Sequence, residues 1–213
     1  MARMKSDEKR REIVRVAAQA FQELGYERTS MLTIAERLRG SKQTLYNYFP
    51  SKEDLLRAVL AFDVGEVAEK AMGIFFAEPD IQKALAGLGQ IYLERQLTPL
   101  AIANIRTVST QPAESGIGGE FYRNVLCAAW KRLADAFEVL MSEGKLRRAD
   151  PWLAAMHFKG LILQDLLERY LLGAATAIDQ AEVAAAAQQA AEAFLMIYGP
   201  LESVPEARSL SPA

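Results

Sequence analysis

Residues 29–56 read TSMLTIAERLRGSKQTLYNYFPSKEDLL, and the spacing inside this stretch decides the fold. Ile34, Ala35 and Leu38 share one helical face over about 31–38, and Leu45 and Phe49 share the matching face of a second segment over 42–48. Thr29-Ser30 supplies cap chemistry to the first segment, and the glycine-containing turn Arg39-Gly40-Ser41 separates the two. Two short helices joined in this way make a helix-turn-helix, whose first helix braces the second across a DNA major groove. Once its apolar residues are committed inward, the second helix presents Lys42, Gln43, Thr44, Tyr46, Asn47 and Tyr48. Its first amides, with Ser41 and Lys42, suit phosphate; Gln43 reaches an adenine edge, and the Thr44 methyl matches a thymine methyl. The competing reading is an ordinary amphipathic cluster, in which Leu45, Phe49, Leu55 and Leu56 are core and Tyr46 and Tyr48 join them.

Upstream, a helix over about 7–24 buries Ile13, Val16, Ala17, Ala20, Phe21 and Leu24, and Gly25 stops it. Downstream, a helix starts after Phe49-Pro50 and reaches about residue 76; Ser51 there caps Asp54 in a Ser-x-x-acid arrangement.

The run Thr44-Leu45-Tyr46-Asn47-Tyr48-Phe49-Pro50-Ser51-Lys52 resembles the TetR family of bacterial repressors. The likeness extends upstream through Ala17-Ala18, Phe21, Gly25-Tyr26, Thr29-Ser30 and Ile34-Ala35. The resemblance implies base and phosphate contacts from Ser41, Lys42, Gln43, Thr44, Tyr46, Asn47 and Tyr48. It implies a further phosphate contact from Lys52, with Thr29, Ser30 and Thr33 beside them, and a homodimer with one head per half-site. Two departures are specific to this chain. The turn glycine is displaced by one in Leu38-Arg39-Gly40-Ser41, and Gln43 stands where glycine is common in the family.

Beyond residue 57 the expected fold remains all-α, about nine helices in total, with no alternating strand pattern. Pro79, Thr98-Pro99, Asp150-Pro151 and Asp179-x-x-Glu182 mark helix starts. Helices are expected near 79–97, 99–109, 119–143, 150–173 and 179–198, with a loop over 110–118. The spans divide as an N-terminal three-helix DNA-binding head (1–57), a C-terminal helical bundle for ligand binding and dimerisation (58–200) and a mobile tail (201–213).

The segment 150–173 is apolar around most of its girth, and 179–198 carries a stripe of alanines that permits close helix approach. Faces that one chain cannot bury call for a partner, so these two segments are the expected homodimer interface, which the family resemblance also implies. Along 150–173, Leu153, His157, Gly160, Gln164 and Leu167 form a stripe of polar groups among apolar ones, which reads either as a ligand pocket or as a dimer edge. Tyr92, Arg95, Arg106, Phe121, Trp130 and Met156 complete the candidate ligand-binding set for a small apolar effector.

Charge follows the same division. Residues 1–57 hold 12 Lys/Arg against 8 Asp/Glu, a balance of +4, and the rest holds 13 against 19, a balance of −6. A basic end on an acidic body is the asymmetry of a chain that meets phosphate with one part only. One cysteine, Cys127, and one histidine exclude a disulfide framework and a protein-only zinc site; Cys127 sits in an apolar helical pattern as a small core residue. Asp165 and Glu168 near His157 are too few for a bundle metal centre, which needs several Glu and two His. No phosphate-cradling loop, paired nucleophile and base, or metal motif is present, so neither catalysis nor a cofactor is expected. The N-terminal residues lack an apolar signal core and no apolar run reaches membrane-span length, so a cytoplasmic location is expected. The alternative to a DNA-binding repressor is a helical adaptor that binds protein through its apolar faces.

Overall fold

A computed structural model of the chain describes residues 2–200. The tail expected at 201–213 lies outside the described residues.

The head is built from α1 (Ala2–Leu24), α2 (Met31–Arg37), α3 (Lys42–Tyr48) and the first turns of α4 (Lys52–Ala77). Its core gathers Ile13, Ala17, Phe21, Ile34, Leu45, Phe49, Leu55 and Leu56, the residues that the helical spacing assigned inward. Three serines set the helix starts. Ser30, Ser41 and Ser51 each accept the backbone N–H three residues on, at 3.0 Å. Each cap satisfies an amide with no helical partner and contributes about 1 kcal/mol. α1 starts earlier than its apolar stripe, because the charged residues before Ile13 include good helix formers and no breaker.

The turn after α2 closes with Gly40 N–H donating to the Ala35 carbonyl (3.2 Å) and Arg39 N–H donating to that of Glu36 (3.0 Å). This pair of bonds requires a left-handed residue between them, and Arg39 takes that conformation at φ +50°. Displacing the glycine by one position has therefore placed an arginine where glycine costs least.

α4 belongs to two cores. Its first half contributes Leu55, Leu56, Val59 and Leu60 to the head, and its second half contributes Ala71, Met72 and Phe75 to the body. The body consists of α5 (Ile81–Gln96), α6 (Pro99–Ser109), α7 (Ile117–Phe121), α8 (Cys127–Ser142), α9 (Pro151–Leu163), α10 (Leu166–Leu172) and α11 (Gln180–Tyr198). Asp80, Thr98, Asp150 and Asp179 cap α5, α6, α9 and α11. Because Asp80 rather than Pro79 forms the cap of α5, that helix begins two residues later than expected. The aromatic centre stacks Phe137 on Phe194 (4.9 Å) and Phe194 on Tyr198 (4.8 Å), with Phe158 edge-on to Phe194 at 5.3 Å. α5 and α11 lie close enough that a Cβ on Gly89 would stand 3.4 Å from that of Ala187.

Two long helices depart from expectation. The segment 119–143 begins earlier, at Ile117, and passes through a π-helical turn over Tyr122–Leu126 before α8. The segment 150–173 is broken at Gln164, which adopts φ +44° and separates α9 from α10.

Candidate nucleic-acid interface and buried cavity

α3 carries one buried side chain, Leu45; Ser41, Lys42, Gln43, Tyr46 and Asn47 are exposed, and Thr44 and Tyr48 are half-buried. Intrahelical pairs order this surface. Ser41 Oγ and Thr44 Oγ1 share a hydrogen bond of 2.8 Å, the Lys42 ammonium lies 5.7 Å from the Tyr46 ring centroid, and Gln43 Nε2 donates to Asn47 Oδ1 at 3.1 Å. With its hydroxyl engaged, Thr44 has its methyl left for contact. Tyr48 packs against the head core with part of its ring. At the start of α2, Ser30 is exposed and Thr33 half-buried, their hydroxyls 2.9 Å apart.

Two residues in the expected DNA-binding set have their polar groups engaged within the head. Thr29 is 1% exposed, and its hydroxyl donates towards the carbonyls of Gly25 (2.8 Å) and Ala20 (3.3 Å), so it locks the α1–α2 connection instead of facing outward. The Lys52 ammonium donates to the Tyr26 carbonyl at 2.8 Å and lies 4.1 Å from the Tyr26 ring centroid. A lysine held by a carbonyl and an aromatic face is a brace between α4 and the end of α1. Arg39, which leads into Ser41 and α3, is an exposed cation that the expected set does not include. Its departure from the glycine pattern was visible; its left-handed backbone was not.

In the body, α4, α5, α6, α7 and α8 line a partly open cavity of about 140 Å³. Its wall is mostly apolar, with Val64, Met72, Leu88, Ile105, Phe121 and Trp130 around a few polar groups: Tyr92, Arg95, Gln96 and Asn104. Tyr92 packs edge-on against Trp130 with centroids 5.1 Å apart, and burial drives its hydroxyl well above the ordinary tyrosine range. Arg95 donates to Thr98 Oγ1 at 2.8 Å, and desolvation lowers its pKa. Asn104 is buried, and among the described residues no side chain hydrogen-bonds its amide or the Tyr92 hydroxyl. Polar groups in an apolar wall are the usual arrangement for orienting a small ligand.

The structure thus brings Tyr92, Arg95, Phe121 and Trp130 onto one cavity and places the other expected ligand residues elsewhere. Arg106 donates to the Leu171 carbonyl at 2.7 Å, tying α6 to α10. Met156 packs against the aromatic core. His157 Nδ1 shares a 2.6 Å hydrogen bond with the Tyr198 hydroxyl, and Gln164 donates to Gln189 at 3.3 Å. Leu153, His157, Gly160 and Gln164 form one exposed stripe of α9. Helical periodicity puts them on a common face but carries no sign of whether that face looks inward or outward.

A second hollow adjoins the first and shares Leu60 and Phe121 with it. It lies where α7 meets α4, beside the ion pair of Arg57 and Glu120. Ile117 of α7 is buried in the head core, while Phe121, one turn on, lines the cavity.

Residues 13–59 match the family model for bacterial regulatory proteins of the tetR family, and residues 83–200 match that for the C-terminal domain of AefR-like transcriptional repressors. The chain belongs to the TetR family of transcriptional regulators. A TetR-family regulator from Mesorhizobium loti shares 26% identity over 91% of this chain and 98% of its own, with a TM-score of 0.83. The flavonoid-responsive regulator FrrA shares 27% identity over 92% of this chain and 100% of its own, with a TM-score of 0.66. The fatty acid degradation regulator FadR from Bacillus halodurans has the same fold at 18% identity, covering 86% of this chain and 94% of its own at a TM-score of 0.70. No curated protein matches the sequence.

As a TetR-family regulator the chain is a DNA-binding protein, and its family match over 13–59 spans α2 and α3 whole. Among the described residues no helix is long and apolar enough to cross a membrane, and no cluster of His, Cys, Asp and Glu is arranged to hold a metal ion.

Proposed function

We propose that the protein is a ligand-responsive repressor that binds a pseudo-palindromic operator as a homodimer and leaves it when a small aromatic molecule fills the body cavity. The observation that carries this reading is one helix: α4 starts four residues after the end of α3, shares the head core with it, and supplies Leu60, Val64, Val67, Ala68, Ala71 and Met72 to the cavity wall. A ligand that favours one tilt of α4 changes the spacing of the two heads. In this reading Lys42 and the first amides of α3 take phosphate, while Gln43, Thr44 and Asn47 face base edges, with Ser30, Thr33, Tyr46 and Tyr48 flanking them.

The cavity volume is close to that of an engineered apolar site that binds benzene, so one ring fits without rearrangement. A flavonoid-responsive relative is further support for an aromatic effector. The exposed stripe Leu153, His157, Gly160 and Gln164 on α9, with Gln189, Met196 and Ile197 on α11, supports a dimer face there, since Met196 and Leu153 are 86% and 50% exposed. The reading includes a cytoplasmic location and no catalytic activity, with the head ending near residue 57.

The test is selection of genomic fragments by the purified protein, followed by footprinting and titration with phenols, aromatic acids and flavonoids. The expected footprint has two-fold symmetry with half-site centres about 34–36 Å apart or slightly more. A footprint without symmetry, or retention that ignores salt, would defeat the proposal and favour a protein-binding adaptor.

A further inference from the structure

Gln43 and Asn47 stand one turn apart on the exposed face of α3, and the bond between them has a direction: Gln43 Nε2 donates and Asn47 Oδ1 accepts, at 3.1 Å. A primary amide offers two N–H donors and one acceptor oxygen. With one N–H held by Asn47, Gln43 keeps Oε1 and a single N–H, side by side. That pair complements the major-groove edge of adenine, where N6–H donates and N7 accepts. Asn47, whose oxygen accepts that bond, keeps both N–H donors of its own amide.

The neighbouring side chains have other partners. The Thr44 hydroxyl is taken by Ser41 at 2.8 Å, and the Lys42 ammonium lies towards the Tyr46 ring. A free glutamine at this position would lose rotamer freedom on entering the groove and would present its amide either way round. Guanine, which offers two acceptors, would be met by the flipped arrangement as adenine is by this one.

We infer that Asn47 is the positioning residue for Gln43: it fixes the orientation of the Gln43 amide so that each head reads adenine at that position of the half-site. The inference rests on the operator-binding reading above and deepens it from a reading face to a base. The two N–H donors of Asn47 meet an acceptor on the adjoining base or phosphate.

The experiment uses the full-length protein and its selected operator, with all four bases placed in turn at the position whose preference disappears in Gln43→Ala. The wild type is expected to favour adenine there by between about 5- and 150-fold. Asn47→Ala should reduce that preference by about 2- to 13-fold, the worth of one net hydrogen bond, and should do nothing further once Gln43 is alanine. Asn47→Asp keeps an acceptor for Gln43 and removes both donors. It should therefore retain the adenine preference while total affinity falls from the added negative charge. An unchanged adenine preference in Asn47→Ala, loss of that preference in Asn47→Asp, or guanine selected by the wild type would each overturn the inference while leaving operator binding intact. A wild type that binds all sequences alike would defeat operator reading itself, and the inference with it.

Discussion

Arg57, in the second turn of α4, donates through Nε to Glu120 of α7 at 2.7 Å and through Nη2 to the Ser115 carbonyl at 3.3 Å. The pair ties the helix that leaves the head to the short helix whose Ile117 fills the head core and whose Phe121 lines the cavity. Both side chains are part-exposed, so the ion pair adds under about 1 kcal/mol to stability. Its role in the proposed mechanism is to favour one arrangement of head and body.

Glu120→Gln should therefore separate coupling from folding. The melting temperature should fall by no more than about 4 °C. Operator affinity and effector affinity should shift in opposite directions, since the two ligands prefer different arrangements and linkage is reciprocal. Paired titrations, by fluorescence anisotropy with operator and by calorimetry with an aromatic ligand found by screening, provide the check. Equal shifts in the same direction would show that the pair does not distinguish the two arrangements.

Arg39 occupies a left-handed position at φ +50°, which costs a non-glycine residue roughly 1–2 kcal/mol. Arg39→Gly should relieve that cost, less about 0.4–1 kcal/mol for the looser unfolded chain, and so raise the melting temperature slightly. The same substitution removes an exposed cation beside α3, so affinity for every DNA sequence should fall and the salt dependence should lessen by about one ion per head. Greater stability with unchanged DNA affinity would show that the side chain does not meet phosphate.

Tyr26 is 7% exposed, and among the described residues its hydroxyl has no hydrogen-bond partner. Burial, with help from Glu53 and Glu27, pushes its pKa up to about 12 from the ordinary 10.0. A folded-state value above the unfolded one means that the stability is complete below pH 10 and is lost as the pH rises through 12. The loss amounts to roughly 2–3 kcal/mol when complete. Tyr26→Phe should flatten this part of the alkaline denaturation curve relative to wild type, and should be near neutral at pH 7 because it removes a polar atom that nothing satisfies. An identical alkaline limb in both proteins would place the lability elsewhere.

How much of this was legible depends on what each feature needs from its neighbours. The starts of α2, α3 and α4 were readable because Ser30, Ser41 and Ser51 cap amides three residues away, a relation contained within one turn. The break at Gln164 was not, because the flanking sequence has no proline and the positive φ falls on a residue that rarely adopts one. The π-turn at Tyr122–Leu126 likewise leaves no local mark. Periodicity put His157, Gly160 and Gln164 on one face of α9, but a period does not say which side of the helix meets the core. Thr29 and Lys52 matched the family pattern while their polar groups are engaged by backbone carbonyls of the head, since motif position and side-chain partner are separate facts.

The cavity assignment makes two substitutions behave differently. Trp130→Phe trims the wall beside Tyr92 and should weaken an aromatic ligand several-fold; Gln164→Ala, on the outer face of the body, should leave effector affinity unchanged. Ligand-induced shifts in melting temperature compare them directly. An effect of Gln164→Ala as large as that of Trp130→Phe would move the effector site from the cavity to the α9 surface.

Gly160 gives a direct test of the proposed dimer face. It lies inside α9, is exposed, and a Cβ built on it meets nothing within 4 Å. Within one chain, replacing it should relieve the helix of a residue that costs up to about 1 kcal/mol relative to alanine. Across a close helix–helix interface the same position would have to accommodate every added atom twice, once from each subunit, because a two-fold interface repeats each contact. Gly160→Arg should therefore give a helical, cooperatively folding protein that sediments as a monomer at micromolar concentration, while Gly160→Ala stays dimeric or nearly so. The monomer should still contact a single half-site through α3, but with the second head gone its affinity for the full operator should fall to that of an isolated half-site and its footprint should lose its symmetry. If Gly160→Arg remained a dimer with full operator affinity, the interface would have to be sought on a face that does not include the Leu153–Gln164 stripe.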